Sequence, residues 1–84
     1  MHEVLLSSQA QRDLRRLPPE VLERVVAAVR ALGRTPRPPG CRKIVGSRSD
    51  WRVRVGDYRV VYEVDDRARE VRVMYVRHRR DAYR

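Results

Sequence analysis

One stretch, residues 51–64, constrains this chain more than any other. Trp51 to Val55 alternates strictly between apolar and charged side chains, Tyr58 to Val64 alternates well, and Gly56-Asp57 stands between them. Alternation of period two marks a half-buried strand, and a two-residue loop with glycine at the position that needs positive φ marks a β-hairpin. With Gly56 and Asp57 as the loop, Val55 pairs with Tyr58, Arg54 with Arg59, Val53 with Val60, Arg52 with Val61 and Trp51 with Tyr62. Side chains alternate across a strand, so Trp51, Val53, Val55, Tyr58, Val60 and Tyr62 share one face, which is the core side. The other face carries Arg52, Arg54 and Arg59. Arg54 and Arg59 stand directly across from each other, where like charges are destabilising. At ~6 Å the repulsion is roughly 0.7 to 3 kcal/mol for effective dielectrics of about 80 down to 20. No carboxylate on that face is placed by this pairing to neutralise the cations, and such a cluster suits a phosphate, which guanidinium groups bond bidentately.

The remaining elements follow from periodicity. Apolar positions 21, 22, 25, 26, 29 and 32 form one broad helical stripe, with Pro18-Pro19 at its start and Gly33 at its end. Ser7 or Ser8 caps a shorter helix in which Ala10, Leu14 and Leu17 share a face, and residues 2–6 read as a first strand. Residues 34–42, rich in proline, form a connector that cannot donate a hydrogen-bond ladder. Short strands are predicted over 43–45 and, after a turn at 65–69, over 70–77, leaving 78–84 as a basic tail. Pairing of 64 with 70 or with 71 decides whether Arg79 faces the same way as Arg59, and parity leaves both open. The order β-α-α-β-β-β-β predicts an α+β fold, two N-terminal helices on a small antiparallel sheet, as one domain over residues 1–84.

Charge narrows the function. The chain has 84 residues, 20 Lys plus Arg against 11 Asp plus Glu, and a formal net charge of +9. With 42% apolar residues it is no disordered basic tail, and its field attracts polyanions. Residues 1–33 hold five Arg and four acids, so the excess lies in the back half, on the hairpin and the tail. Cys41 is the single cysteine, which excludes an intramolecular disulfide and a four-Cys zinc site. The chain starts without a basic segment followed by an apolar run and has no long apolar stretch, so neither a signal peptide nor a membrane span is predicted and the expected location is cytoplasmic.

The chemistry that these residues permit is limited. The two histidines lie far apart in sequence and no His/Cys/Asp/Glu grouping has metal-ligand spacing, so no metal and no cofactor is expected. The absence of a glycine-rich phosphate loop argues against nucleotide hydrolysis. RNA cleavage without metal stays open, because RNA carries its own nucleophile, the 2′-hydroxyl. That reaction needs a base near the hydroxyl, cations for the charge growing on the phosphorane, and an acid for the departing 5′-oxygen. Tyr83 lies among Arg79, Arg80 and Arg84, where neighbouring positive charge favours a phenolate, and His78 is of the residue type that ordinarily titrates nearest neutrality.

These residues resemble the RelE/ParE superfamily of toxins from type II toxin-antitoxin systems, and within it the RelE branch. The likeness runs through Arg15-Arg16-Leu17-Pro18, Lys43-Ile44-Val45-Gly46, the hairpin with its Arg-x-Gly-Asp-Tyr-Arg-x-x-Tyr core, and His78-Arg79-Arg80-Asp81-Ala82-Tyr83. The resemblance implies a ribosome-dependent endonuclease that cuts messenger RNA at codons in the ribosomal A site through 2′-hydroxyl attack, without metal. It implies a cognate antitoxin as partner, with operator DNA bound only by the toxin-antitoxin complex, and no membrane partner. In that pattern Tyr83 acts as general base, Arg79 as proton donor to the leaving group and Arg59 as stabiliser of the phosphorane, with His78 replacing or assisting either tail residue. Arg52 and Arg54 stand where the family pattern has lysines and read as phosphate contacts, joined by Lys43 and Arg80. The ParE branch implies a different activity, inhibition of DNA gyrase, and a third reading is a module that only receives an acidic antitoxin.

Overall fold

The computed structural model describes residues 1–47 and 49–81. Its elements are β1 (Glu3–Leu6), α1 (Ser8–Arg15), α2 (Pro19–Ala31), β2 (Arg42–Lys43), β3 (Asp50–Val55), β4 (Tyr58–Asp65) and β5 (Glu70–His78). They form a five-stranded sheet in the order β1-β5-β4-β3-β2 with the two helices on one face. The expected α+β architecture is present with one correction to the sheet. β1 runs parallel to β5, Val4 opposite Val71 and Leu6 opposite Val73, while every other pair is antiparallel. A parallel neighbour needs a long crossover, and here everything from α1 to β4 separates the two strands.

Local sequence explains the helices. Ser7 is the N-cap of α1, its Oγ accepting the Ala10 N–H at 3.0 Å, and Ala10, fully buried, faces the sheet with Leu14 and Leu17 packed beside it. Pro19 opens α2, whose buried stripe is Val25, Val29 and Leu32. Gly33 serves close approach at the helix end: a Cβ there would stand 3.0 Å from the His2 carbonyl oxygen, and the Gly33 carbonyl accepts the His2 N–H. The core joins these helix residues to Val60, Tyr62 and Val64 of β4 and Val71, Val73 and Val76 of β5. β2 is shorter than expected and begins one residue earlier, because the chain turns away at Val45-Gly46, where φ of Gly46 is 87°.

The connector closes the far end of the core. The buried Tyr62 hydroxyl donates to the Pro36 carbonyl at 2.7 Å, and the Arg37 guanidinium lies over the Trp51 ring at 5.2 Å. Burial, then the Cys41 thiol, pushes the Tyr62 phenol well above its ordinary pKa, and Arg37 opposes the shift. Asp66, in the β4–β5 turn, accepts from Arg37 at 2.9 Å and meets His2 Nε2 at 3.0 Å. Those two bonds hold its carboxyl below the usual carboxylate pKa range.

A single irregularity interrupts the antiparallel pairing of β4 and β5. Tyr62 pairs with Val73 but Val61 pairs with Tyr75, so Met74 is an extra residue in β5, a β-bulge. The start of α1 holds it. Ser7 Oγ donates to the Met74 carbonyl at 2.6 Å, the Val76 N–H donates to Asp13 Oδ2 at 2.9 Å, and Gln9 Nε2 steadies Asp13 Oδ1 at 2.8 Å. Before the bulge Val71 and Val73 point inward; after it Val76 points inward, and Tyr75 and Arg77 point to the opposite face.

A candidate phosphate site on the arginine face

The hairpin register is the expected one at every pair, from Val55 opposite Tyr58 to Trp51 opposite Tyr62. Gly56 carries the turn's positive φ, 59°, the first-position glycine of a type II′ loop. Arg54 therefore stands across from Arg59, and β5 adds a third cation to that row, since Arg59 pairs in turn with Arg77. A second row, two residues along the strands, runs Arg42, Arg52, Val61, Tyr75. Among the described residues no helix covers this face, yet Val61 is only 6% exposed and stands outside the helix-side core cluster. Its cross-strand neighbours on that face are Arg52 and Tyr75, and the aliphatic stem of an arginine can cover apolar surface while its head reaches water.

Arg79 joins the first row from the chain's end. Its N–H donates to the Asp57 carbonyl at 2.7 Å, extending β5 past the hairpin turn. Arg54, Arg59 and Arg79, with Gly56, Asp57 and Tyr58, line a cleft of about 230 Å³. Three guanidinium groups around a space of that size can hold one phosphate group and stabilise added negative charge on it. Asp57, in the hairpin loop, is an acid at the cleft itself; on the strands the nearest acids of this face, Asp50 and Glu63, pair with each other one step beyond the second row, and Glu63 lies 3.9 Å from Arg72. Among the described residues no three His, Cys, Asp or Glu side chains group as metal ligands.

The other sequence-predicted residues fall elsewhere. Lys43 pairs with Trp51, so it belongs to the helix side of the sheet; Arg42, opposite Arg52, takes the place expected of Lys43. His78 pairs with Tyr58 on the helix side and meets its ring edge-on at 5.2 Å. It lines a different groove, with Gln9, Asp13, Arg16, Leu17 and Asp81. Its Nδ1 accepts the Arg80 N–H at 3.2 Å, so the proton of the neutral ring sits on Nε2. Arg80 is exposed beyond the strand. Tyr83 lies outside the described residues. Sequence reasoning missed Arg42, Tyr75 and Arg77. The signal for the last two was present: Val73-Met74-Tyr75-Val76 breaks the alternation of β5, and such a break marks a bulge.

Comparison with known proteins decides the family. The family model for the ParE toxin of type II toxin-antitoxin systems matches residues 4–83. The chain belongs to the RelE/ParE toxin superfamily. Toxin RelG of Mycobacterium tuberculosis is 38% identical over 99% of this chain and 97% of its own length. Among solved structures, the toxin-antitoxin complex RelBE2 of M. tuberculosis matches with a TM-score of 0.81 at 30% identity, covering 92% of this chain and 96% of that one. The archaeal RelE-RelB complex from Pyrococcus horikoshii matches with a TM-score of 0.83 at 25% identity, covering 93% and 94%. This RelE/ParE chain is a toxin of a type II toxin-antitoxin system.

Proposed function

We propose that this toxin is a ribosome-dependent, metal-free endoribonuclease acting on messenger RNA in the A site. The observation that carries the reading is the cleft formed by Arg54, Arg59 and Arg79. In the reaction the 2′-oxygen of the substrate bonds to the adjacent phosphorus and loses its proton to a base. The bond from phosphorus to the 5′-oxygen breaks, a proton passes to that oxygen, and a 2′,3′-cyclic phosphate remains. Arg59, centre of its row, meets the charge of the phosphorane; Arg54 contacts the same phosphate from across the cleft, and Arg52 a flanking one. Tyr83 is the base and Arg79 the proton donor by resemblance to the family. The ribosome supplies the RNA geometry that so open a site cannot impose. Its similarity to toxins solved in toxin-antitoxin complexes supports an antitoxin as partner, one that silences this toxin and is acidic enough to cover the arginine face. Residues 1–84 act as one toxin domain in the cytoplasm, and operator DNA is left to the toxin-antitoxin complex.

Primer extension on a defined message, with purified toxin and with or without ribosomes, tests this. Cuts at A-site codons are expected only with ribosomes and are lost in Arg59→Ala and Tyr83→Phe. The match to the ParE family model favours a second reading, inhibition of DNA gyrase. A supercoiling block by wild-type toxin, with intact messages, would establish that reading in place of the first.

A further inference from the structure

The Arg77 guanidinium carbon lies 4.3 Å from the centre of the Tyr75 ring, a cation-π stack on the outward face of β5. Arg77 is exposed and directly across from Arg59, at the end of the first arginine row, and Tyr75 lies directly across from Val61, at the end of the second. We propose that Tyr75 and Arg77 form a stacking platform for one unpaired nucleobase of the RNA whose phosphate occupies the Arg54, Arg59 and Arg79 cleft. The proposal rests on the RNA substrate proposed above and adds to it a base-binding residue pair.

The chemistry fits a nucleobase better than another phosphate. A planar guanidinium already stacked on an aromatic ring presents its second face as a flat, cationic surface, and single-stranded bases are held by stacking on aromatic rings and arginine planes. The strand spacing puts Arg77 about 5 Å from Arg59 between Cβ atoms, within the reach of a nucleotide from its own phosphate. The Met74 bulge makes the arrangement possible, since an unbulged β5 carrying Val71 and Val73 inward would turn Tyr75 inward as well and Arg77 with it. Ser7 and Asp13, which hold the Met74 carbonyl and the Val76 N–H, are positioning residues for the platform.

The test compares, by fluorescence anisotropy, a complete labelled RNA hexanucleotide with a set of hexanucleotides in which each internal base in turn is replaced by an abasic ribose, leaving every phosphate in place. Tyr75→Leu is expected to weaken binding of the complete RNA by about 5- to 150-fold, the range for loss of one base stack. Against the RNA abasic at the stacked position it should have little further effect, because that RNA lacks the stack already. Tyr75→Phe, which keeps the ring under Arg77, restores the complete RNA's affinity; Arg77→Lys, which keeps the charge and loses the plane, does not. Equal weakening by Tyr75→Leu for the complete RNA and for every abasic RNA would overturn the platform, since it would report only general damage. The two proposals fail separately. A base-dependent loss in a toxin that leaves ribosomal messages uncut refutes the nuclease and keeps the platform, and cleavage with a base-independent response does the reverse.

Discussion

Arg54→Gln should stabilise the fold while it disables the site. Arg54 is exposed and its direct cross-strand neighbour on β4 is Arg59. At ~6 Å the pair repels by roughly 0.7 kcal/mol in water and about 3 kcal/mol at an effective dielectric of about 20. An exposed pair belongs near the water end, and screening over a Debye length of about 8 Å at physiological salt roughly halves the interaction. The net gain from removing the charge is then about 0.3 to 1 kcal/mol. Glutamine keeps part of the stem and remains compatible with the strand, so little packing is lost. For a domain of this size such a gain raises the thermal midpoint by about 2 to 6 °C. Thermal unfolding followed by circular dichroism at low salt and at about 1 M salt checks the cause, because at the higher concentration the Debye length falls to about 3 Å and the difference should collapse. A lower midpoint for Arg54→Gln, or a gain that salt leaves unchanged, would refute the repulsion argument. Loss of RNA cleavage by the same variant would show the trade of stability for activity expected of charges gathered for a ligand.

Three further outcomes test how the site is held. Asp13→Ala leaves the Val76 N–H without its 2.9 Å acceptor, and should lower stability to urea by about 1 to 3 kcal/mol, with Asp13→Asn retaining much of it because the amide oxygen can still accept. Gly56→Ala puts a Cβ at a φ of 59° and 3.4 Å from the Arg24 guanidinium, and should cost about 1 kcal/mol or more in the same assay, whereas Gly56→Asn, which tolerates that conformation, costs less. Asp66 has a folded-state pKa below its unfolded one, so its contribution is complete at pH values above the unfolded pKa and disappears as pH falls through the folded one. Asp66→Asn should therefore lower the thermal midpoint at neutral pH and match wild type in strong acid; a difference that persists unchanged in acid would refute the linkage.

What could be read from the sequence divides along the range of the forces involved. The hairpin was legible to the residue because its register is set locally: a glycine that supplies the positive φ at position 56, and alternation that assigns Trp51, Val53 and Val55 to one face and Arg52 and Arg54 to the other. The two helices were legible for the same reason, from the Ser7 cap and the stripe through Val25, Val29 and Leu32. β5 was legible only in part: the broken alternation at Val73-Met74-Tyr75-Val76 marks a bulge, but the groups that hold the parity change, Ser7 and Asp13, are more than sixty positions away along the chain. One extra residue there moves His78 to the helix side and brings Arg77 to the arginine face. Which of Arg42 and Lys43 joins the arginine face was not legible, since the short strand over 43–45 carried no local signal of its register with β3, and the pairing of Arg42 with Arg52 decides it. The direction of β1 depends on a pairing closed last along the chain, which no local pattern encodes.

These differences share a consequence for how the face works. A row of three cations across adjacent strands is unfavourable wherever it is solvated alone, and the strand register places no acid within the row of Arg54, Arg59 and Arg77. It is held from behind, by Val60 and Val76, which are buried on the helix side in the strands that carry Arg59 and Arg77. It is held from the side by the bulge, whose hydrogen bonds to α1 prevent β5 from slipping one residue and carrying Arg77 out of the row. Register slip is the cheapest way for such a sheet to shed its repulsion, and it would exchange buried valines for arginines on the core face. The core thus sets the cost of escape, and it is the burial of these valines that keeps the arginines together in one row.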